Sequence, residues 1–63
     1  MKYDVYSQFT KQLVKKGVSK EDVDKFIDNQ ARDLNYGFLR YWTEDGVTYY
    51  DCGPIVYAVK VSQ

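Results

Sequence analysis

The chain has 63 residues, too few for more than one small domain, and folding at this size hides only about 60% of the surface the unfolded chain exposes. Nine Lys and Arg balance nine Asp and Glu, so no global charge draws the chain to nucleic acid or a membrane. There is no histidine and a single cysteine, Cys52, which excludes an internal disulfide and any Cys/His metal site.

The charge is uneven along the chain. Residues 1 to 20 carry Lys2, Lys11, Lys15, Lys16 and Lys20 against Asp4, a balance of +4. Residues 21 to 33 reverse it to −3, with Glu21, Asp22, Asp24, Asp28 and Asp33 against Lys25 and Arg32. The opening Met1-Lys2-Tyr3-Asp4-Val5-Tyr6 lacks the apolar core of a signal peptide, and no apolar run approaches the roughly 18 residues of a membrane span. A cytoplasmic location without membrane contact is expected, and the lone thiol agrees with a reducing compartment.

Val5, Phe9 and Leu13 recur at a spacing of four beside Tyr6, which predicts a first helix over about 4–16 with Gly17 in the left-handed position past its end. Ser19 then reads as an N-cap, with Asp22 three residues on and Val18 placed to staple against Val23. A second helix over about 20–34 follows. Its apolar side is Val23, Phe26, Ile27, Ala31 and Leu34, its outer side pairs Glu21 with Lys25 and Asp28 with Arg32, and Asn35 and Gly37 close it. The stretch from Leu13 to Ile27 resembles the generic helical corner of many small modules.

From Phe38 onward the period becomes two, and Asp45-Gly46 is a two-residue hairpin turn that fixes a register. Strands are expected over about 38–44 and 47–52, with Glu44 opposite Val47, Thr43 opposite Thr48, Trp42 opposite Tyr49, Tyr41 opposite Tyr50, Arg40 opposite Asp51 and Leu39 opposite Cys52. Gly53-Pro54 makes a second turn, before a third strand over about 55–61. The expected fold is therefore α+β, with two N-terminal helices packed on one face of a three-stranded antiparallel sheet in the order ααβββ, as a single domain over 1–63.

Alternation sorts the sheet residues. Leu39, Tyr41, Tyr50, Cys52, Ile55, Tyr57, Val59 and Val61 go to the core under the helices, and Phe38, Arg40, Trp42, Val47, Tyr49, Asp51, Val56, Ala58 and Lys60 go outward.

Catalysis is poorly provided for. Without histidine, Cys52 and the serines lack their usual base, and the four glycines each fall at a punctuation point rather than in a phosphate-binding loop. Asp24 and Asp28 have the chemistry for acid/base work or a hard cation, but their interleaving with lysines and arginine is the pattern of a solvated helix face. No enzyme activity, cofactor or metal is expected.

Binding is the better-supplied class. Phe38, Arg40, Trp42, Tyr49, Asp51, Val56 and Lys60 on the outward face combine aromatic anchors with a charged rim, the composition of a protein interface. The expectation is a small interaction module that binds and regulates or inhibits a larger macromolecule, of the kind phage and mobile elements encode, with another protein as its partner. A nucleic-acid alternative is a small winged helix, although an acidic second helix would be repelled from a groove; in a different docking Lys11, Lys15 and Lys16 contact the backbone while Arg40, Trp42 and Tyr49 stack on unpaired bases. A third reading, in which Asp22, Asp24, Asp28, Asp33, Glu44 and Asp45 imitate phosphates, is weakened by the lysines among them.

Overall fold

The computed structural model describes residues 1–34 and 40–62. Two strands, β1 (Tyr3–Ser7) and β2 (Leu13–Val18), come first. The helix α1 (Lys20–Asp33) follows, then β3 (Arg40–Glu44), β4 (Val47–Asp51) and β5 (Val56–Val61). All neighbouring strands are antiparallel, and the five form one sheet in the order β2-β1-β5-β4-β3.

The first half of the expected fold is overturned. Where a helix over 4–16 was predicted, the chain makes a hairpin, so one helix lies on a five-stranded sheet rather than two on a three-stranded one. Of the residues spaced by four, Val5 and Leu13 lie in β1 and β2 and only Phe9 in the tight loop between them. Lys11 N–H donates to the Ser7 carbonyl at 2.8 Å, a single helical turn that Lys11 itself ends at φ 65°. Phe9 is two-thirds exposed there, with no core to pack on. Tyr3, Val5 and Tyr6 instead take up strand alternation, which suits their aromatic and β-branched side chains. What holds them extended is β5: Tyr3 lies opposite Val61, Val5 opposite Val59 and Ser7 opposite Tyr57.

Gly17 keeps the positive φ read from the sequence, at 63°, but uses it inside a strand. The register slips between Tyr3↔Val18 and Val5↔Lys15, leaving Lys16 and Gly17 across from Asp4. This is a bulge, and Asp4 Oδ1 closes it by accepting from Gly17 N–H at 2.8 Å. Asp4 is 8% exposed, so the bond sits out of water and unlinking it leaves a donor without a partner. Asp4→Ala is expected to cost about 1–2 kcal/mol in urea unfolding, and Asp4→Asn, which keeps an acceptor, less; equal losses would show that the carboxylate is needed for its charge instead.

The second half follows the expected register. Ser19 caps α1, its hydroxyl accepting from Asp22 N–H at 3.2 Å, and the Glu21–Lys25 and Asp28–Arg32 pairs form at 3.3 and 3.0 Å on the outer surface. The helix ends one residue earlier than expected, with Leu34 as its C-cap. Asp45 and Gly46 both have positive φ, 50° and 78°, the type I′ geometry that matches strand twist. Arg40↔Asp51, Tyr41↔Tyr50, Trp42↔Tyr49, Thr43↔Thr48 and Glu44↔Val47 pair as predicted. The last two strands are trimmed to 47–51 and 56–61, β3 is described from Arg40 to Glu44, and the expected pairing of Leu39, the closing role of Asn35 and Gly37, and the placement of Phe38 lie outside the described residues.

The core lies between α1 and one sheet face. Val23 and Ile27 of the helix meet Val5, Tyr57, Val59 and Cys52, with Tyr3, Val18, Phe26, Leu34, Tyr50 and Ile55 around them. Phe26 meets Tyr57 edge to face at 5.2 Å, and the Tyr57 hydroxyl donates to Gln30 Oε1 at 2.8 Å, so the buried ring has its polar end satisfied.

Candidate interaction face

Because directly opposed residues in a ladder share a face, the pairings carry one set of side chains across the sheet away from α1. Leu13 opposes Tyr6, Tyr6 opposes Ala58, Ala58 opposes Tyr49, and Tyr49 opposes Trp42. A second row joins Val56 to Asp51 and Asp51 to Arg40. This face has no helix on it among the described residues.

The small side chain of Ala58 sits between Tyr6 and Tyr49, and a depression of about 230 Å³ opens there, edged by Ser7, Gln8, Lys11 and Lys60. Trp42 and Tyr49 stack at 5.5 Å and 22°. Cations lie over the rings at either side: Lys60 Nζ is 5.2 Å from the Tyr6 centroid and the Arg40 guanidinium 5.8 Å from that of Trp42. Two of the acids on the face are already engaged. Asp4 holds Gly17, and Asp51 accepts from Gly53 N–H at 2.9 Å while lying 3.7 Å from Arg40.

Of the residues expected to form the interface, Arg40, Trp42, Tyr49, Asp51, Val56 and Lys60 share this one face, and Phe38 lies outside the described residues. Sequence reasoning missed Tyr6 and Leu13, which the predicted first helix had turned inward. The run Tyr3-Asp4-Val5-Tyr6, rich in strand formers, was the signal that would have found Tyr6.

The alternative cationic set is dispersed. Lys15 opposes Val5 on the helix side, with its ammonium 5.4 Å from the Phe26 ring, whereas Arg40 is on the far edge strand and the other face. Four strand spacings separate those edges, about 19 Å. Lys16 sits at the bulge, and Lys11 alone of the set borders the depression. A winged helix is likewise overturned, because its first helix is the β1–β2 hairpin.

Asp24 and Asp28 pair with Lys20 and Arg32, and among the described residues no three His, Cys, Asp or Glu side chains are placed to hold a metal ion. The buried Cys52 thiol is pushed up from its ordinary value, by burial first and by Asp51 second, which keeps it protonated and a poor nucleophile. Burial also raises the Tyr50 and Tyr57 hydroxyls above their ordinary 10.0. Groups whose folded value lies above the unfolded one stabilise fully below the unfolded value and lose that contribution as pH rises through the folded one. Stability is therefore expected to hold to about pH 8, above which a cysteine with its ordinary value of 9.0 ionises in the unfolded chain, and to fall more steeply above about pH 9 as unfolded tyrosines begin to ionise. Urea midpoints measured from neutral to alkaline pH check this, and a decline already under way at neutral pH would contradict it.

Among the described residues no helix is long and apolar enough to cross a membrane. No family model, curated protein or solved structure matches the chain.

Proposed function

We propose that this chain is a non-enzymatic interaction module that binds, and thereby regulates or inhibits, a larger protein through the sheet face opposite α1. The observation that carries the reading is the stacked Trp42–Tyr49 pair continuing through Ala58 to Tyr6 on a face that α1 leaves bare. Aromatic rings around a small central residue supply rigid apolar anchors, and such patches are where binding energy concentrates. Lys11, Lys60 and Arg40 rim the face while Asp4 and Asp51 are held internally and Glu44 stands at the far end of β3, so the complementary surface is an apolar centre with acidic groups beside the three cations.

The test compares capture from cells of the natural source by the wild-type chain and by Tyr49→Ala, alongside fluorescence anisotropy with homopolymeric DNA and RNA. One stoichiometric protein, retained by wild type and lost with Tyr49→Ala, is the expected result. Salt-dependent oligonucleotide binding lost with the same substitution would replace the protein reading with a nucleic-acid one, since stacked aromatics beside cations also suit unpaired bases.

A further inference from the structure

The sheet ends in two edge strands, and they are built differently. The β2 edge is blunted by two register slips, by Gly17 at φ 63° and by Lys15 and Lys16, the devices that keep an edge from pairing. The β3 edge has no slip and no glycine: Arg40 to Glu44 pair residue for residue with β4 and contain neither Gly nor Pro, and its two charges, Arg40 and Glu44, are of opposite sign at opposite ends. Among the described residues nothing pairs with its outer side.

The hairpin turn determines which backbone groups of β3 point outward. In a two-residue type I′ hairpin the residues flanking the turn exchange both ladder bonds, and bonding alternates from there. Glu44, Trp42 and Arg40 thus bond inward to β4, while Thr43 and Tyr41 turn their N–H and C=O to the free edge. The 3.2 Å approach of the Thr43 and Thr48 hydroxyls fits this, because side chains come closest at non-bonded pairs.

We propose that two copies of this chain pair through β3, antiparallel about a two-fold axis at Trp42, into one continuous sheet. In that register Tyr41 of each copy bonds with Thr43 of the other, satisfying the outward groups of both, and Arg40 of each lies opposite Glu44 of the other. Both charged ends are complementary. Centring the axis on Tyr41 or Thr43 would pair that residue with its own copy but would set Arg40 opposite Trp42, or Glu44 opposite Trp42, and lose both charge pairs. The Arg40 side chain is 65% exposed and its 3.7 Å approach to Asp51 is long, so its guanidinium retains donors for a second carboxylate.

The pairing also extends the aromatic row. Trp42 meets Trp42 of the second copy at a non-bonded position, and the Trp42–Tyr49 stack becomes a ladder of four rings on the face opposite the helices. Because the contact is isologous and β2 is blunted, assembly closes at two copies instead of propagating. One short strand buries little area compared with stable interfaces, so the dissociation constant is expected on the order of 100 µM. The inference is independent of the proposed partner, and either can fail alone.

Sedimentation equilibrium of the full chain, up to about 1 mM, tests it. A reversible monomer–dimer equilibrium is expected for wild type. Glu44→Arg, which sets Arg against Arg at both ends, is expected to weaken it about tenfold or more, and Arg40→Glu combined with Glu44→Arg to restore it to within about threefold. Should the double variant fold poorly by circular dichroism, oxidation of Trp42→Cys decides: a disulfide-linked dimer that Thr43→Cys does not give supports the register. A monomeric wild type across the range, or a dimer that neither Glu44→Arg weakens nor Trp42→Cys traps, overturns the proposal.

Discussion

Ile27→Ala is expected to leave the chain largely unfolded at room temperature. Ile27 is 2% exposed and lies with Val23 and Ala31 on the stripe by which α1 meets the sheet. Truncating such a residue removes its transfer energy and leaves a cavity, together about 2–5 kcal/mol. A core in a chain of this length rarely supplies more than about 3–5 kcal/mol in total, and no disulfide is available to make up the difference. The nearest comparisons should be far milder. Leu13→Ala, at a half-exposed position on β2, is expected to change stability by under about 0.5 kcal/mol. Far-UV circular dichroism and urea midpoints give the result, and an Ile27→Ala chain that stays cooperative with most of its wild-type midpoint would show that the helix is not what seals the core.

The fold was legible where a local device fixed a register and opaque where the decision was made at a distance. Asp45-Gly46 sets the pairing of β3 and β4 through its own backbone angles, and Ser19 starts α1 through its own hydroxyl. Both are readable within a few residues. The first segment carries a genuine period-four pattern in Val5, Phe9 and Leu13, and what overrides it is β5, more than fifty residues away along the chain. Pairing Tyr3 to Ser7 with Tyr57 to Val61 buries Val5 against Val59 and lets Phe9 go to solvent. A helix there would have kept Phe9 inside. The period was real, but only Phe9 sits in the single helical turn from Ser7 to Lys11, with Val5 and Leu13 in the strands on either side.

The same division governs the candidate face. Strand alternation alone places Trp42, Tyr49, Val56 and Lys60 opposite the core, and the burial of Tyr57, Val59 and Cys52 under α1 agrees with that sorting, whereas Tyr41 and Val61, sorted to the core, lie beyond the helix's cover and are exposed. The other side of the depression, Tyr6 and Leu13, became visible only once β1 was paired, since both belong to the hairpin misread as a helix. Ala58 was sorted outward by its parity but carried no signal of its own. Its significance is that its neighbours on both sides are tyrosines, and only the sheet order shows that.

Trp42→Ala is expected to separate binding from folding. Trp42 is half-buried on an edge strand, and its contacts are the stack on Tyr49 and the guanidinium of Arg40, so its removal should cost the fold about 0.5–1.5 kcal/mol. An aromatic anchor at the centre of an interface is worth more to its partner, about 2 kcal/mol or beyond, a loss of at least about thirtyfold in affinity. Trp42 also lies at the centre of the β3–β3 pairing, so weaker partner binding alone could reflect the loss of either contact. Glu44→Arg resolves the two: it opposes the pairing of copies and leaves the aromatic row intact. If titration calorimetry finds partner affinity lost with Trp42→Ala and kept with Glu44→Arg, the face itself holds the partner. If both lose it, the partner recognises the four-ring ladder that only the dimer presents. Should Trp42→Ala instead unfold the chain, the ring belongs to the core and the face opposite α1 is structural.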